Sequence, residues 1–464
     1  MSEDDPKSTT APARKRTTAK KAAGKRAAAS KTAAKKTASR KAAAKKSPAR
    51  KSVAKQAPAK KSAAKKATAR KSSGVRRRYD FVLLGATGFT GGLTAEYLAE
   101  RAPEGARWAI AGRNRDKLEA VRRHLARVNP TAEAVEVVEA DISDAGSMRE
   151  LARSTRVLAT TVGPYVVHGE SVVAACAQAG THYLDITGEP EFVDTMWLRY
   201  HRSALDSGAK LIHCCGFDSI PHDLGALYTV QQLPDDAPKR VEGFVRAGGT
   251  FSAGTYHSAL LAFSRLRQAA AAHRERRRRE TITSARSVGS RPMRPRFDKR
   301  LDTWVLPFPS VDPQIVMRSA RMLEAYGPSF QYGHYVQVRE LRNVLKLAGG
   351  AGMLMAAAQL PPARNWLMKR KQSGQGPNEA QRRKGWFRVR FFGEGGGRSV
   401  IVDVTGGDPG YGETSRMLGE SILCTAFDKL PARAGQLTPA AAMGDALRER
   451  LDAIGIRFSV VEAR

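Results

Sequence analysis

The sequence predicts an α/β protein in which a basic tail precedes a doubly wound parallel sheet and a second, mixed α/β domain. From Tyr79 onward, short apolar runs alternate with helical patterns, which is typical of a parallel sheet covered by helices. A glycine-rich turn joins the first run to the first helix, and residues 1–77 contain no aromatic side chain. We therefore expect a disordered tail over 1–77, a first domain over 78–222 and a second domain over 223–464.

The tail carries most of the excess charge. The chain has a net charge of +35, and residues 1–78 hold 27 Lys and Arg residues against three acidic ones. Basic pairs recur from Lys20 to Lys71, separated mainly by Ala, Thr and Ser, and so polar a segment cannot bury enough apolar surface to offset the entropy of ordering. Its composition resembles the tails of linker histones. We expect residues 10–78 to bind nucleic acid through its phosphates, and anionic lipid or no defined partner remain alternatives.

Composition also limits the class of protein. The four cysteines lack metal-ligand spacing and are too few for a disulfide framework, which favours a reducing compartment and no metal site. Residues 1–5 include three acids where a signal peptide would be basic. The longest apolar stretch, residues 347–360, is shorter than the roughly 20 residues that span a bilayer. We expect a cytoplasmic protein, and association with the nucleoid or a membrane stays open.

The first apolar run leads directly into a glycine motif and then a helical pattern. In this strand–turn–helix context, we expect Gly85 to permit a tight turn, Gly88 to let the backbone approach a diphosphate, and Gly91 to let the helix pack on the strand. The helix N-terminus then faces the phosphates, as in a Rossmann-type domain. The residues expected to bind the cofactor here are Gly85, Thr87, Gly88, Phe89, Thr90 and Gly91.

The residues after the next two strands favour one cofactor. An NAD site usually places a carboxylate about 20 residues beyond the glycine motif, but the strand at 107–111 is followed by Arg113. Because an arginine suits a 2′-phosphate, we expect NADP(H); an arginine that only decorates a surface turn is the alternative. Asp141, after the strand at 134–140, is expected to meet the adenine edge.

Further strands at 156–162, 182–186 and 210–215, with a helix at 170–179, complete the predicted sheet. Gly163 and Pro164 follow the first of these strands and are expected to line the cofactor cleft, because ligands bind outside the carboxyl ends of such strands.

Several sequence blocks resemble a known family: the glycine motif, Gly163 to Tyr165 with His168, residues 181–189 and residues 216–221. They are similar to the saccharopine dehydrogenase-like oxidoreductases, and more narrowly to the trans-acting enoyl reductases that serve polyketide and glycolipid assembly. The resemblance implies NADPH-dependent reduction of an enoyl double bond in a lipid- or polyketide-type substrate, free or carrier-bound. The alternatives are an amino-acid dehydrogenase or reductase of the broader family, and a nucleoid-associated protein whose cofactor domain is a sensor or relic.

Enoyl reduction needs a proton donor beside the cofactor. Tyr165, on the Gly-Pro turn, is the first choice from position alone and His168 the second, while a purely structural role for either stays open. Other polar residues near the predicted carboxyl edge are Tyr183, Asp185, Asp218 and His222.

The sequence pattern predicts fewer helices and strands in the second domain. Strands are expected at 241–246, 386–394 and 399–405, a helix opening at 248–255 and running to about 260, and another helix from 412 to 425. Residues 271–300 hold eleven Lys and Arg residues against three acids, which fits a polyanion surface, a dock for an acidic carrier protein or a solvated loop. Residues 342–371 surround the apolar stretch with cations, which fits an interfacial helix, and a buried core helix is the alternative.

Overall fold

The computed structural model describes residues 77–248, 260–280, 286–370 and 376–464. The predicted tail, and the glycine-rich block that follows residue 248, lie outside the described residues.

Most strands of the described chain are short and buried. They are β1 (Tyr79–Leu84), β2 (Trp108–Gly112), β3 (Glu136–Glu139), β4 (Thr155–Thr160), β5 (His182–Asp185), β6 (Lys210–Ile212), β7 (Lys239–Gly248), β8 (Ser287–Ser290), β9 (Arg296–Asp298), β10 (Thr303–Pro307), β11 (Ser329–Val338), β12 (Trp386–Gly395), β13 (Arg398–Gly406), β14 (Gly435–Leu437) and β15 (Arg457–Ala463).

The helices alternate with these strands in the first half of the chain. They are α1 (Phe89–Arg101), α2 (Arg115–Val128), α3 (Ala145–Ser154), α4 (Tyr165–His168), α5 (Glu170–Ala179), α6 (Pro190–Ser207), α7 (Ile220–Gln231), α8 (Leu266–Arg279), α9 (Asp312–Met322), α10 (Leu341–Gln359), α11 (Pro361–Arg370), α12 (Glu379–Arg382), α13 (Gly412–Phe427), α14 (Pro439–Ala442) and α15 (Gly444–Ala453).

The first sheet has seven parallel strands in the order β14-β6-β5-β4-β1-β2-β3. All six residues of β1 are buried, as expected for a parallel strand covered on both faces. The chain order reverses between β1 and β4, whose last residues Leu84 and Thr160 are neighbours, so a ligand site is expected at their carboxyl ends. The predicted doubly wound parallel sheet is therefore confirmed.

The sequence does not predict the seventh strand, β14. Residues 435–437, far beyond the expected end of the first domain at 222, pair with β6 through Lys210 to Ile212. Helix α13 also returns to this region and packs against α1. The C-terminal part of the chain therefore completes the first sheet as well as contributing to the second.

The second sheet is mixed, in the order β15-β13-β12-β7-β11-β10-β9, with β8 pairing with β11 beside this path. Helix α7 packs on β7, β12 and β13, so closely that a Cβ on Gly225 would lie 2.4 Å from the ring of Phe391. One hydrophobic core, which includes Phe81 of the first sheet and Phe391 of the second, joins the two layers. The predicted mixed second sheet is confirmed.

The basic residues 271–300 include the end of α8 and the strands β8 and β9, and most of the apolar stretch 347–360 lies in α10. Arg276 of α8 is buried and pairs with Asp194 of α6 at 2.5 Å, so a solvated loop is wrong for residues 271–279. On α10 the described side chain of Met353 is 76% exposed, and Leu360 beyond its end is 61% exposed, which disagrees with a buried core helix. Within the described residues, no helix has the length and apolar character needed to cross a membrane.

Candidate active site

The glycine loop has the geometry that a dinucleotide cofactor requires. Gly85 has a φ of +94°, and a Cβ there would lie 2.8 Å from Thr161 Oγ1. A Cβ on Gly91 would lie only 2.1 Å from the Gly85 carbonyl oxygen. Gly88, the exposed residue that precedes α1, provides no side-chain cap. The N-terminus of α1 is thus open at the backbone, as anion binding requires.

Other residues of the loop connect it to the C-terminal part of the chain. The Phe89 ring packs edge-on against Tyr411 with centroids 4.7 Å apart, and the Arg382 guanidinium lies 5.7 Å from the Phe89 ring centre. The Thr90 carbonyl oxygen accepts a hydrogen bond from Ser415 Oγ at 3.4 Å, while Thr87 is exposed. Phe89 and Thr90 therefore support the loop from behind, and Thr87 and Gly88 form its open surface.

Arg113 and Asp141 lie at the carboxyl ends of the neighbouring strands β2 and β3. Arg113 is exposed. Asp141 accepts hydrogen bonds from the Ser143 backbone N–H at 2.9 Å and from its hydroxyl at 2.7 Å. These bonds, and then the charge of Arg113, lower the pKa of the Asp141 carboxyl. The structure thus brings the two predicted cofactor residues together at the edge where the adenosine half of a dinucleotide would bind.

The turn after β4 is held by a carboxylate. The backbone N–H groups of Tyr165 and Val166 donate to Glu189 at 3.0 and 2.7 Å, which fixes the turn that contains Gly163 and Pro164; their peptide bond is cis. Thr161, two residues before Gly163, donates from Oγ1 to the Gly85 carbonyl, so this turn borders the glycine loop. That Gly163 and Pro164 line the cofactor cleft stays a prediction.

The Tyr165 side chain is hydrogen-bonded to the backbone of its surroundings. Its buried hydroxyl donates to the Thr160 carbonyl at 3.0 Å and accepts from the Ile186 N–H at 3.4 Å, and burial raises its pKa well above the usual value. His168, at the end of α4, is exposed. The contacts of Tyr165 do not support its choice as proton donor, and a catalytic role for His168 stays a prediction.

A buried hydrogen-bonded pair supports the loops after β5 and β6. Asp185 and His213 lie 2.6 Å apart and are at most 1% exposed. The second oxygen of Asp185 accepts the backbone N–H groups of Thr187 and Cys214, both at 3.0 Å. Asp185 therefore fixes the backbone of the loop that carries Asp218, which is more exposed than Asp185.

Asp218 is a titratable residue at this edge. It is partly exposed, and its carboxylate lies 3.0 Å from where a Cβ on Gly188 would be, so it lies between the loops that follow β5 and β6. Burial, and then the charge of Asp312, raises the pKa of Asp218 to about 7. The sequence placed Asp218 near the carboxyl edge but gave no reason to prefer it, because its environment depends on distant residues.

Three buried side chains from separate elements also converge. His222 of α7, Asp312 of α9 and His334 of β11 each offer a ligand atom, and these atoms lie within 4.8 Å of one another. The sequence predicted no metal site because these residues have no local spacing.

The chain is similar to known oxidoreductases over most of its length. The profile of the saccharopine dehydrogenase NADP binding domain matches residues 81–212. A trans-acting enoyl reductase of Mycobacterium ulcerans is 34% identical over 421 residues, covering 83% of this chain and 99% of that protein. A Mycobacterium tuberculosis protein provisionally assigned as a trans-acting enoyl reductase is 38% identical, covering 82% and 97%. The saccharopine dehydrogenase-like oxidoreductase of Homo sapiens is 30% identical, covering 84% and 98%.

A solved structure shares the fold at low sequence identity. Saccharopine dehydrogenase (L-Glu forming) from Saccharomyces cerevisiae aligns over 82% of this chain and 99% of its own, with a TM-score of 0.50 and 11% identity. This likeness supports the fold, whereas the matched NADP-binding domain confirms the predicted cofactor, NADP(H).

Proposed function

Because this chain belongs to the saccharopine dehydrogenase-like oxidoreductases, we propose that it uses NADPH to reduce the enoyl double bond of a lipid- or polyketide-type substrate, free or carrier-bound. The observation that carries the proposal is the 34% identity to a trans-acting enoyl reductase across 99% of that protein. That the chain is an NADP-dependent oxidoreductase is established by the family and its cofactor domain.

Different residues of the chain would contact different parts of the cofactor. The open N-terminus of α1 and the backbone at Gly88 would hold the diphosphate, since exposed N–H groups and the helix dipole favour negative charge. Arg113 would pair with the 2′-phosphate. The turn at Gly163 and Pro164 would bound the nicotinamide end, because it borders the glycine loop at the point where the strand order reverses.

NADPH supplies a hydride for the β-carbon of the substrate. The protein must then donate a proton to the α-carbon and stabilise the negative charge that develops on the carbonyl oxygen. Asp218 is our preferred donor because it is partly exposed between the loops that follow β5 and β6, whereas the Tyr165 hydroxyl is engaged with the backbone. His168 is the second candidate.

The test is a substrate panel on the full-length protein. We expect NADPH oxidation with a long-chain enoyl thioester and no comparable rate with a carbonyl compound plus an amino acid, the pair that would test the amino-acid alternative. Turnover of the second pair without turnover of the first would overturn the proposal.

A second function is favoured by the charge of the N-terminal segment. Residues 1–78 hold 27 basic residues against three acidic ones, so we propose that residues 10–78 bind nucleic acid and bring the enzyme to the nucleoid. The logarithm of the affinity for duplex DNA should fall steeply and linearly with the logarithm of the salt concentration. Deletion of residues 1–76 should abolish DNA binding. DNA binding that survives this deletion would contradict the assignment.

Peripheral membrane contact through residues 342–371 is a further proposal. The exposed Met353, Leu360 and Trp366 provide apolar surface, and Arg342 and Arg364 are suitable cationic neighbours. Sedimentation with anionic vesicles should decrease when Met353 and Trp366 are replaced by serine. Unchanged sedimentation would remove this surface from consideration.

A further inference from the structure

A buried cluster lies where α7, α9 and β11 meet. His222 follows β6 on α7, Asp312 begins α9, and His334 lies in the middle of β11. All three residues are 0% exposed. His222 Nδ1 lies 3.5 Å from Asp312 Oδ1, and His334 Nε2 lies 3.4 Å from Asp312 Oδ2. The carboxylate is therefore bracketed by two imidazole nitrogens.

Several polar atoms of this cluster lack a hydrogen-bond partner. They are Nδ1 and Nε2 of His222, Nε2 of His334 and Oδ1 of Asp312. Buried polar groups in folded proteins are nearly always hydrogen-bonded, and leaving one unpaired is costly. His222 Nδ1 and His334 Nε2 both lie beside the Asp312 carboxylate, so an ion that binds lone pairs would satisfy atoms of all three residues.

Other atoms of His334 and Asp312 have hydrogen-bond partners outside the cluster. Tyr332 Oη lies 3.1 Å from His334 Nδ1, and Ser310 Oγ donates to Asp312 Oδ2 at 2.6 Å. When Nδ1 of His334 carries its proton toward Tyr332, the lone pair of Nε2 faces the carboxylate, which is repulsive unless a cation lies between them. Partners of this kind, behind the ligating atoms, orient histidines and carboxylates in metal sites.

No lysine or arginine is paired with this cluster in the described chain, where the ion pairs of Asp312 are those with the two histidines. A bound cation would therefore stabilise a carboxylate that is buried away from water.

We propose that His222, Asp312 and His334 bind one divalent transition-metal ion, with Zn²⁺ preferred. Two nitrogens and one carboxylate oxygen suit zinc, whose bonds to such ligands are about 2.0–2.2 Å long. The ligand atoms that the three residues offer lie within 4.8 Å of one another, so small side-chain movements would bring them to one ion. The ion would join α7, α9 and β11 and so fix the second sheet on the helix that follows the first.

The first test is the metal content of the full-length chain purified without a polyhistidine tag. Elemental analysis should find about one zinc per chain, as expected for a single preformed site. After removal by a chelator, added Zn²⁺ should raise the midpoint of thermal unfolding. Co²⁺ should give the visible absorption of a four-coordinate ion. A chain that holds no metal and whose unfolding midpoint does not respond to Zn²⁺ or Co²⁺ overturns the proposal.

Variants separate this site from adventitious binding. His334→Asn should lose the bound ion, whereas His124→Asn should retain it, because His124 lies in a partly exposed pair with Glu96. If His334→Asn does not fold, Tyr332→Phe provides the second test: it removes only the oxygen beside His334 Nδ1 and should weaken Zn²⁺ affinity about tenfold or more. Equal zinc content in His334→Asn and the wild type, or unchanged affinity in Tyr332→Phe, would contradict the assignment.

Discussion

The close contact at Gly91 allows a sharp test of the cofactor loop. In Gly91→Ala the new Cβ would lie 2.1 Å from the Gly85 carbonyl oxygen and 2.7 Å from Thr161 Oγ1. The first neighbour is backbone and cannot rotate away. Because ordinary contacts begin near 3.4 Å, the first turn of α1 must move by about 1 Å or more, and overpacking of this kind costs about 1–3 kcal/mol.

Gly92→Ala is the matched control. The same methyl group, one residue further along α1, would lie 3.7 Å from the Ala86 carbonyl oxygen, an ordinary contact. Alanine favours a helix over glycine by about 1 kcal/mol, so this variant should be as stable as the wild type or more so. Gly91→Ala alone should therefore lower the free energy of unfolding.

Urea unfolding and NADPH titration by fluorescence provide the measurements. Gly91→Ala should lower the free energy of unfolding and weaken NADPH binding by about tenfold to a hundredfold, since a displacement of about 1 Å in a positioned site has effects of that size. Gly92→Ala should bind NADPH nearly as the wild type does. If Gly91→Ala matched Gly92→Ala in both measurements, the loop would not have the role we assign to it.

Three further predictions concern charge and burial. Arg113→Ala should weaken NADPH binding by about 1.5–3 kcal/mol, the value of a charge-assisted hydrogen bond, and leave NADH affinity unchanged; equal losses for both cofactors would refute the 2′-phosphate contact. Asp194→Ala leaves buried Arg276 without its 2.5 Å partner and should lower the free energy of unfolding by about 3–5 kcal/mol, whereas exposed Arg274→Ala should change it by less than about 0.5 kcal/mol; similar effects would refute the buried pair. Burial lowers the pKa of His182 to about 4, so the stability it contributes is complete above about pH 6.5 and is lost as the pH falls toward 4, by about 1.4 kcal/mol per pH unit; His182→Gln should flatten this dependence in urea unfolding, and an unchanged slope would count against it.

The elements that the sequence predicts well are those decided by neighbouring residues. The strand β1, the turn at Gly85 and the helix α1 follow one another within about 20 residues, and each glycine has a local steric reason. The strands of the parallel sheet are also predicted from neighbouring residues. Because both of their faces are covered, they are continuous apolar runs that stand out in the sequence.

The features that the sequence misses depend on distant partners. Strand β14 is three residues long and belongs to the first sheet only because it pairs with β6, more than 200 residues earlier. The basic composition of α8 indicated a solvent-exposed segment, yet Arg276 is buried because Asp194 lies opposite. In the site, the Tyr165 hydroxyl is hydrogen-bonded to the backbone of Thr160 in β4 and of Ile186 just after β5, contacts that no sequence motif predicts.

The most direct test of the proposed reaction follows the hydrogen that NADPH transfers. The full-length protein would be incubated with an enoyl thioester and NADPH deuterated at the transferable position, and the product examined by mass spectrometry and NMR. We predict a saturated thioester with deuterium at the β-carbon and a solvent proton at the α-carbon. A protein that binds NADPH but leaves the double bond intact, or that places deuterium at the α-carbon, would contradict the enoyl reductase assignment.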